Sequence, residues 1–228
     1  MSPNSREILE VSGLPPEAAK LSRIWEWCVV AAVALLFMGS YRLTEFTMGS
    51  MANSFYIDRG YSLTQIAAVV KLYGLAMSLV GVVIAGVVVA RLGLLRALIA
   101  GSVMIMLSNV GFSMLARAAE PSLLGLGLVN GFDNLAQAMH GTALIAFLSS
   151  LTSARYTATQ YALFSSLYAL PGKILEGFSG FVVDAIGYPW FFLYTAALSV
   201  PALLLLWWLA KRMPFAGGAA PAPDGRGN

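Results

Sequence analysis

The 228-residue chain is 58% hydrophobic and 11% charged, and its 14 Lys and Arg against 11 Asp and Glu leave a formal charge of +3. Soluble domains carry about 25% charged residues, so this balance, with a mean hydropathy of +0.75, excludes an ordinary soluble domain. No clustered basic face points to nucleic acid, and the single Cys28 excludes both an intrachain disulfide and a cysteine-cluster metal site. Near the start of an apolar run, Cys28 reads as a small buried residue.

In chain order, residues 1–24 form a polar segment with Pro15-Pro16 and mixed charge. It lacks the basic-then-apolar layout of a cleavable signal peptide. Six apolar stretches follow within residues 25–212. A membrane-spanning helix needs about 20 apolar residues, so these predict an all-α, polytopic membrane domain of six transmembrane helices. The first runs from Trp27 into the region of Phe46 and reaches Phe55 if it is long or broken. Ile57-Asp58-Arg59-Gly60-Tyr61 then makes a short loop, and Ser62-Leu63-Thr64-Gln65 has the pattern of a capping box. The second span covers 63–90 and the third 94–116, followed by the polar turn Arg117-Ala118-Ala119-Glu120-Pro121. The fourth covers 122–150, the fifth 158–183, and the sixth runs from Trp190 to Leu209. Residues 213–228, rich in Gly, Ala and Pro, read as a disordered tail.

The basic residues sort between the two sides of these spans. Arg6, Lys20, Arg23, Arg91, Arg96, Arg155, Lys211, Arg212 and Arg226 fall on the side of the termini, against Arg59 and Arg117 in the opposite loops. The positive-inside rule predicts cytoplasmic termini. Trp25, Trp27, Trp190, Trp207 and Trp208 fall near span ends, as interfacial aromatic belts require.

Charges within the spans carry the functional signal, because each costs roughly 2.5–3.5 kcal/mol to insert and usually marks a pathway or a buried partner. At about 1.5 Å per residue, Lys71 lies roughly 12 Å into span two, Asp133 roughly 17 Å into span four and Lys173 roughly 22 Å into span five. Arg42 has a similar depth in span one, so four spans bring charge into one band and predict a shared polar cavity. Arg42 and Glu45, three apart, lie on one helix face and can pair. Lys173 and Glu176 repeat that spacing beside Pro171-Gly172, a pair expected to kink the helix. Asp133, Gln137 and His140 follow an i, i+4, i+7 stripe, with Asn134 beside it, suited to a hydroxyl-rich ligand or to carrying protons. Asp133 is the candidate titrating group; the alternative is that it pairs with Lys71 or Lys173 across the bundle. His140, about 27 Å along its span, reads as lying near the cytoplasmic edge, and without a second ligand-type neighbour it makes no metal site. Gly127-xxx-Gly131 and Gly81-xxx-Ala85 signal close helix packing. No nucleophile–base pair, phosphate-binding Gly loop or metal spacing points to an enzyme or to a cofactor.

The connection Gly86-Val-Val-Val-Ala90-Arg91-Leu-Gly93-Leu-Leu-Arg96 resembles the cytoplasmic loop motif of the major facilitator superfamily, with Ala90 in place of its acidic residue. Tyr41-Arg-Leu-Thr-Glu45, Lys71-Leu-Tyr-Gly74, Arg96-Ala-Leu98, Ser108-Asn109, Phe132-Asp-Asn-Leu135, Thr157-Ala-Thr-Gln-Tyr-Ala-Leu163, Ser165-Ser166 and Ser179-Gly180 occur in order. Together they resemble the C-terminal six-span half of AmpG-type muropeptide permeases. That resemblance implies half of a major-facilitator-type bundle in the bacterial inner membrane and proton-coupled import of anhydromuropeptides in cell-wall recycling. It places Arg42, Glu45, Lys71, Asp133, Asn134 and Gln160 at family-typical positions. Such permeases hold substrate between two six-span halves. A homodimer or a separately encoded N-terminal half is therefore the expected partner, beside membrane lipid and a small-molecule substrate. The other readings are a non-transporting remnant or partner-binding membrane subunit, and the same fold with another cargo such as acetyl-CoA, a sugar or a drug.

Overall fold

The computed structural model describes residues 16–151 and 157–212, and every regular element among them is helical. The helices are α1 (Pro16–Asp58), α2 (Leu63–Ile66), a π-helical segment (Ala67–Tyr73), α3 (Gly74–Leu92), α4 (Leu94–Arg117), α5 (Leu123–Leu151), α6 (Thr157–Glu176), α7 (Ser179–Ala197) and α8 (Ser199–Arg212). The polar segment and the tail of the sequence reading fall largely on residues 1–15 and 213–228, outside the described residues.

Three helical stretches among the described residues, Leu63–Leu92, Leu94–Arg117 and Ser179–Lys211, are long and apolar enough to cross a membrane. α5 is also long, with Asn130, Asp133, Asn134, Gln137 and His140 interrupting its apolar run. At 43 residues, α1 is about 65 Å long, longer than a hydrocarbon core of about 30 Å. It is one unbroken helix that takes in Ile57 and Asp58 of the predicted loop, leaving residues 59–62 to connect it to α2, with the turn at Arg59-Gly60 and Gly60 at φ 86°.

That turn shows its sequence logic directly. Ser62 Oγ accepts from the Gln65 amide at 3.2 Å, and the Ser62 amide donates to Gln65 Oε1 at 2.9 Å. This is the predicted capping box, satisfying two N–H groups at the helix start. At the far end of the same pass, Gly93 (φ 84°) separates α3 from α4 in a conformation that a Cβ would disfavour.

The last helical stretch is interrupted within α7. α7 contains a break at Gly187, φ 75° and ψ 162°, just before Pro189, whose ring is incompatible with an uninterrupted helix. The break falls between the fifth predicted span, 158–183, and the start of the sixth at Trp190. α6 itself stays helical through Pro171-Gly172 and ends at Glu176.

Three turns meet at one end of the bundle. Arg59 Nη2 donates to the Ala118 carbonyl at 2.6 Å, and the Tyr61 hydroxyl donates to the Ser122 carbonyl at 3.1 Å. The Tyr188 hydroxyl donates to Asp58 Oδ2 at 2.5 Å, and Ser113 Oγ donates to the Pro189 carbonyl at 2.8 Å. Arg117 lies 5.2 Å from the Trp190 ring centroid. Beneath these turns is an aromatic core in which Phe55 packs against Phe112, Tyr188 and Phe192. A second core, around Phe37, Met38, Leu98, Leu144, Phe147 and Leu206, fills the other end. Thr44 and Thr47 on α1, Ser102, Ser108 and Asn109 on α4, and Asn130, Asp133 and His140 on α5 are buried polar residues that fall between the positions building these two cores. The bundle is apolar at both ends and polar in its middle.

Glycines set the closest approaches. At Gly81 a Cβ would lie 2.6 Å from Ala138 Cβ and 3.1 Å from Leu135 Cα, so α3 meets α5 nearly backbone to backbone. Gly131 likewise admits Tyr73, whereas nothing lies within 4 Å of a Cβ at Gly127. One glycine of the predicted GxxxG therefore makes a contact and the other does not. α4 is enclosed by α5 and α7, while α3 leans chiefly on α5. Accordingly 50% of the apolar window of Leu94–Arg117 is buried but only 17% of that of Leu63–Leu92.

Candidate functional site

The polar middle layer is assembled by α1, α4 and α5. Asp133 on α5 is buried; Ser108 Oγ of α4 donates to its Oδ1 at 2.5 Å, and Gln137 Nε2, one turn along α5, donates to its Oδ2 at 2.5 Å. The i, i+4 spacing of the sequence stripe brings that second donor to the carboxylate. The same layer holds Asn109, beside Ser108 on α4, 1% exposed. Thr44, Glu45, Met48, Ile105, Asn109, Asp133 and Gln137 enclose a cavity of about 10 Å³.

Next to it, Arg42 Nη1 is ion-paired with Glu45 Oε2, as the i, i+3 spacing predicts. Glu45 Oε2 is also 3.6 Å from Nδ1 of His140. The imidazole stacks on Tyr41 with ring centroids 3.7 Å apart and planes 4° from parallel. The Tyr41 hydroxyl donates to the Leu98 carbonyl at 3.2 Å. His140 is 2% exposed, enclosed between α1 and α4 beside Glu45. Gly101 admits that part of α5; a Cβ there would lie 2.9 Å from both His140 Cα and Tyr41 Oη.

Asn134 occupies a different face of α5. Its Nδ2 donates to the Asn130 carbonyl at 2.8 Å, and its Oδ1 accepts from Ser78 of α3 at 2.8 Å. Asn130 is linked in turn to the Tyr56 hydroxyl at 3.4 Å. Gly74 lies against this pair, where a Cβ would be 2.9 Å from Asn134 Nδ2.

The lysines stand apart from the cavity. Lys71 is exposed, within the π-helical segment. Such segments are rare and often accompany functional sites. Lys173 Nζ bonds Glu176 Oε2 at 2.8 Å and is 58% exposed. Asp133 pairs with neither; its carboxylate is held by a hydroxyl and an amide instead. Lys173 returns to the site through Phe46, whose ring centroid lies 4.8 Å from its Nζ and 5.4 Å from Arg42 Cζ. Gly172 makes that approach feasible. Gln160 lies in the first turns of α6, but its side chain, like those of Cys28, Trp25 and Trp27, is outside the described ones.

Of the predicted site residues, the structure gathers Arg42, Glu45, Asp133 and Gln137, with Lys173 at their margin, and sets Lys71 and Asn134 on other faces. Sequence reasoning passed over Asn109, Thr44 and Tyr41 as site residues. Asn109 had a signal, a carboxamide in the middle of an otherwise apolar helix. Among the described residues no three His, Cys, Asp or Glu side chains group as metal ligands.

A buried acid–amide–ion-pair layer inside an apolar bundle suits a transport protein, and comparison with known proteins agrees. The protein named "Putative transporter AmpG 4" of Rickettsia conorii is 35% identical over 188 residues, 82% of this chain and 44% of that relative. The chain is a homologue of the AmpG-type transporters. A Rickettsia felis counterpart of the same name is 34% identical over 188 residues. A protein of Rickettsia prowazekii named "Putative transporter AmpG 1" is 33% identical over 172 residues, 75% of this chain and 39% of that protein. No family model matches the chain. This AmpG-type homologue spans less than half the length of the relatives it matches, and it is a membrane protein whose relatives are named as transporters.

Proposed function

We propose that the chain forms one six-span half of a proton-coupled permease that imports anhydromuropeptides across the bacterial inner membrane. The observation that carries this reading is the polar layer of Arg42, Glu45, Asp133 and Gln137, enclosed between two apolar cores in a homologue of AmpG-type transporters. Six passes follow from pairing the fifth predicted span with α6 and the start of α7, and the sixth with the rest of α7 and α8. The meeting of the turns after α1, after α4 and at Gly187 supports that alternation. The excess of Lys and Arg on the opposite side supports cytoplasmic termini.

In this reading a second six-span half, related by an axis along the membrane normal, completes the substrate cavity. The exposed apolar faces of α3 and α6, with Leu75, Leu79, Leu167 and Leu170, and the flanking cations Lys71 and Lys173 support such a partner surface. Lys71, Lys173, Asn134 and Gln160 are assigned to the path of the substrate, and Asp133, Gln137, Glu45 and Arg42 to coupling.

The test is uptake of labelled anhydromuropeptide by cells lacking their own permease, with this chain expressed alone and with a candidate N-terminal half. Uptake abolished by a protonophore and lowered by Asp133→Asn is the expected result. Uptake unchanged by Asp133→Asn at every pH removes the coupling role. Absence of uptake in both arms, with insertion verified, removes the transport reading; competition by acetyl-CoA or a sugar changes the cargo.

A further inference from the structure

Asn109 contributes a buried carboxamide nitrogen that no protein group satisfies, on the wall of the cavity it shares with Glu45 and Asp133. An unsatisfied buried donor costs about 1–3 kcal/mol, which a bound acceptor would recover. At about 10 Å³ the cavity is at the lower limit for one water, which needs roughly 10–15 Å³ and two to four polar partners. Asn109, Thr44, Glu45, Asp133 and Gln137 supply those partners. A metal cation would leave the Asn109 N–H without an acceptor.

We propose that this cavity holds one ordered water, gripped by Asn109, which bridges Asp133 to Glu45 and makes the middle layer a single proton path across α4, α5 and α1. In the transfer, the protonated Asp133 carboxyl gives its proton to the water as the water gives one of its own to the Glu45 carboxylate. One carboxyl O–H bond is broken, another is formed, and the water is restored. Glu45 is faced by Arg42 on its own helix and by His140 from α5. Asp133 is faced by Ser108 from α4, by Gln137 along α5 and by Glu45 across the cavity, with the Tyr56 hydroxyl beyond Asn130. Lys71 and Lys173 bond neither carboxylate. A proton arriving on Glu45 neutralises the partner of Arg42, so its position is tied to that ion pair. The inference deepens the proton-coupling reading and rests on it for its role in transport.

The test is infrared titration of the full chain in lipid nanodiscs, following the carboxyl C=O band assigned to Asp133 by its loss in Asp133→Asn. Two groups sharing a water titrate as a coupled pair, so Glu45→Gln moves the midpoint of that band by about one pH unit. In an Asn109→Leu background the same substitution moves it no further, whereas Asn109→Ser, which keeps a donor and is gentler on folding, retains the coupling. A midpoint indifferent to Glu45, or coupling that survives Asn109→Leu, overturns the bridge. So does a midpoint that differs between sodium and choline buffers, which would put a cation in the cavity. Coupling without muropeptide uptake leaves the path standing and removes the transport reading; uptake without coupling does the reverse.

Discussion

The imidazole of His140 lies flat on the ring of Tyr41, centroids 3.7 Å apart, while its Nδ1 points within 3.6 Å of Glu45. The histidine thus has two separable tasks, filling space against an aromatic ring and facing a carboxylate. His140→Ala removes both and opens a cavity in a packed region, a change that costs about 2–5 kcal/mol. His140→Phe keeps the stack, typically about 0.5–1.5 kcal/mol beyond its area, and loses only the Glu45 contact. Thermal unfolding in detergent should rank wild type, Phe, Ala in falling stability. Uptake by the Phe variant then reports the electrostatic task alone, and an Ala variant as stable as Phe would contradict the packing account.

Phe46 closes over Gly172 so tightly that a Cβ at residue 172 would lie 2.3 Å from Phe46 Cδ2. The ring also lies beside Arg42 and Lys173, so it is packed between α1 and α6. Gly172→Ala must displace it, and overpacking of this kind costs about 1–3 kcal/mol. The paired variant Gly172→Ala with Phe46→Leu relieves the clash and should regain part of the loss. If Gly172→Ala melts with the wild type, the α1–α6 contact is looser than the structure has it.

Arg42 and Glu45 were legible in the sequence as a pair because helix spacing alone brings i and i+3 together. The capping box at Ser62 was legible for the same reason, being encoded within a few residues; at Gly81 the small-residue spacing signalled close packing but not which helix it meets. What joins helices was not. Nothing in the spacing of α5 says that Gly101 lets His140 reach Tyr41, or that Ser108 rather than a lysine holds Asp133. A carboxylate in an apolar span advertises that it has a partner, but a hydroxyl or an amide satisfies it as readily as a cation. Depth estimates made span by span assume straight, equal passes. α1 at 43 residues and the break at Gly187 both depart from that assumption.

The ion pair itself yields a sharper test than either residue alone. Glu45→Gln takes the carboxylate from Arg42 and from His140, and Arg42→Gln leaves Glu45 charged in a half-buried site. Each single change should cost about 1–3 kcal/mol, the usual penalty for removing one partner of a buried polar contact. The double variant should cost less than the sum, since no charge is then stranded. A double-mutant cycle read by chemical unfolding measures the coupling, and strict additivity would mean that the pair is solvated and contributes little.

Two glycines of similar appearance in sequence should behave oppositely. Gly81 faces Leu135 and Ala138 at distances that forbid a Cβ, whereas Gly127 has nothing within 4 Å. Replacing glycine by alanine in an open helix position gains up to about 1 kcal/mol of helix propensity. Gly127→Ala should therefore be neutral or stabilising. At Gly81 the same gain is outweighed by separating α3 from α5, where the methyl would meet Ala138 Cβ at 2.6 Å. Because α3 has few other contacts, that separation should free it from the bundle. Limited proteolysis at the Arg91–Arg96 connection should then quicken for Gly81→Ala and stay at the wild-type rate for Gly127→Ala. Equal rates for the two variants would show that α3 is held by contacts other than Gly81.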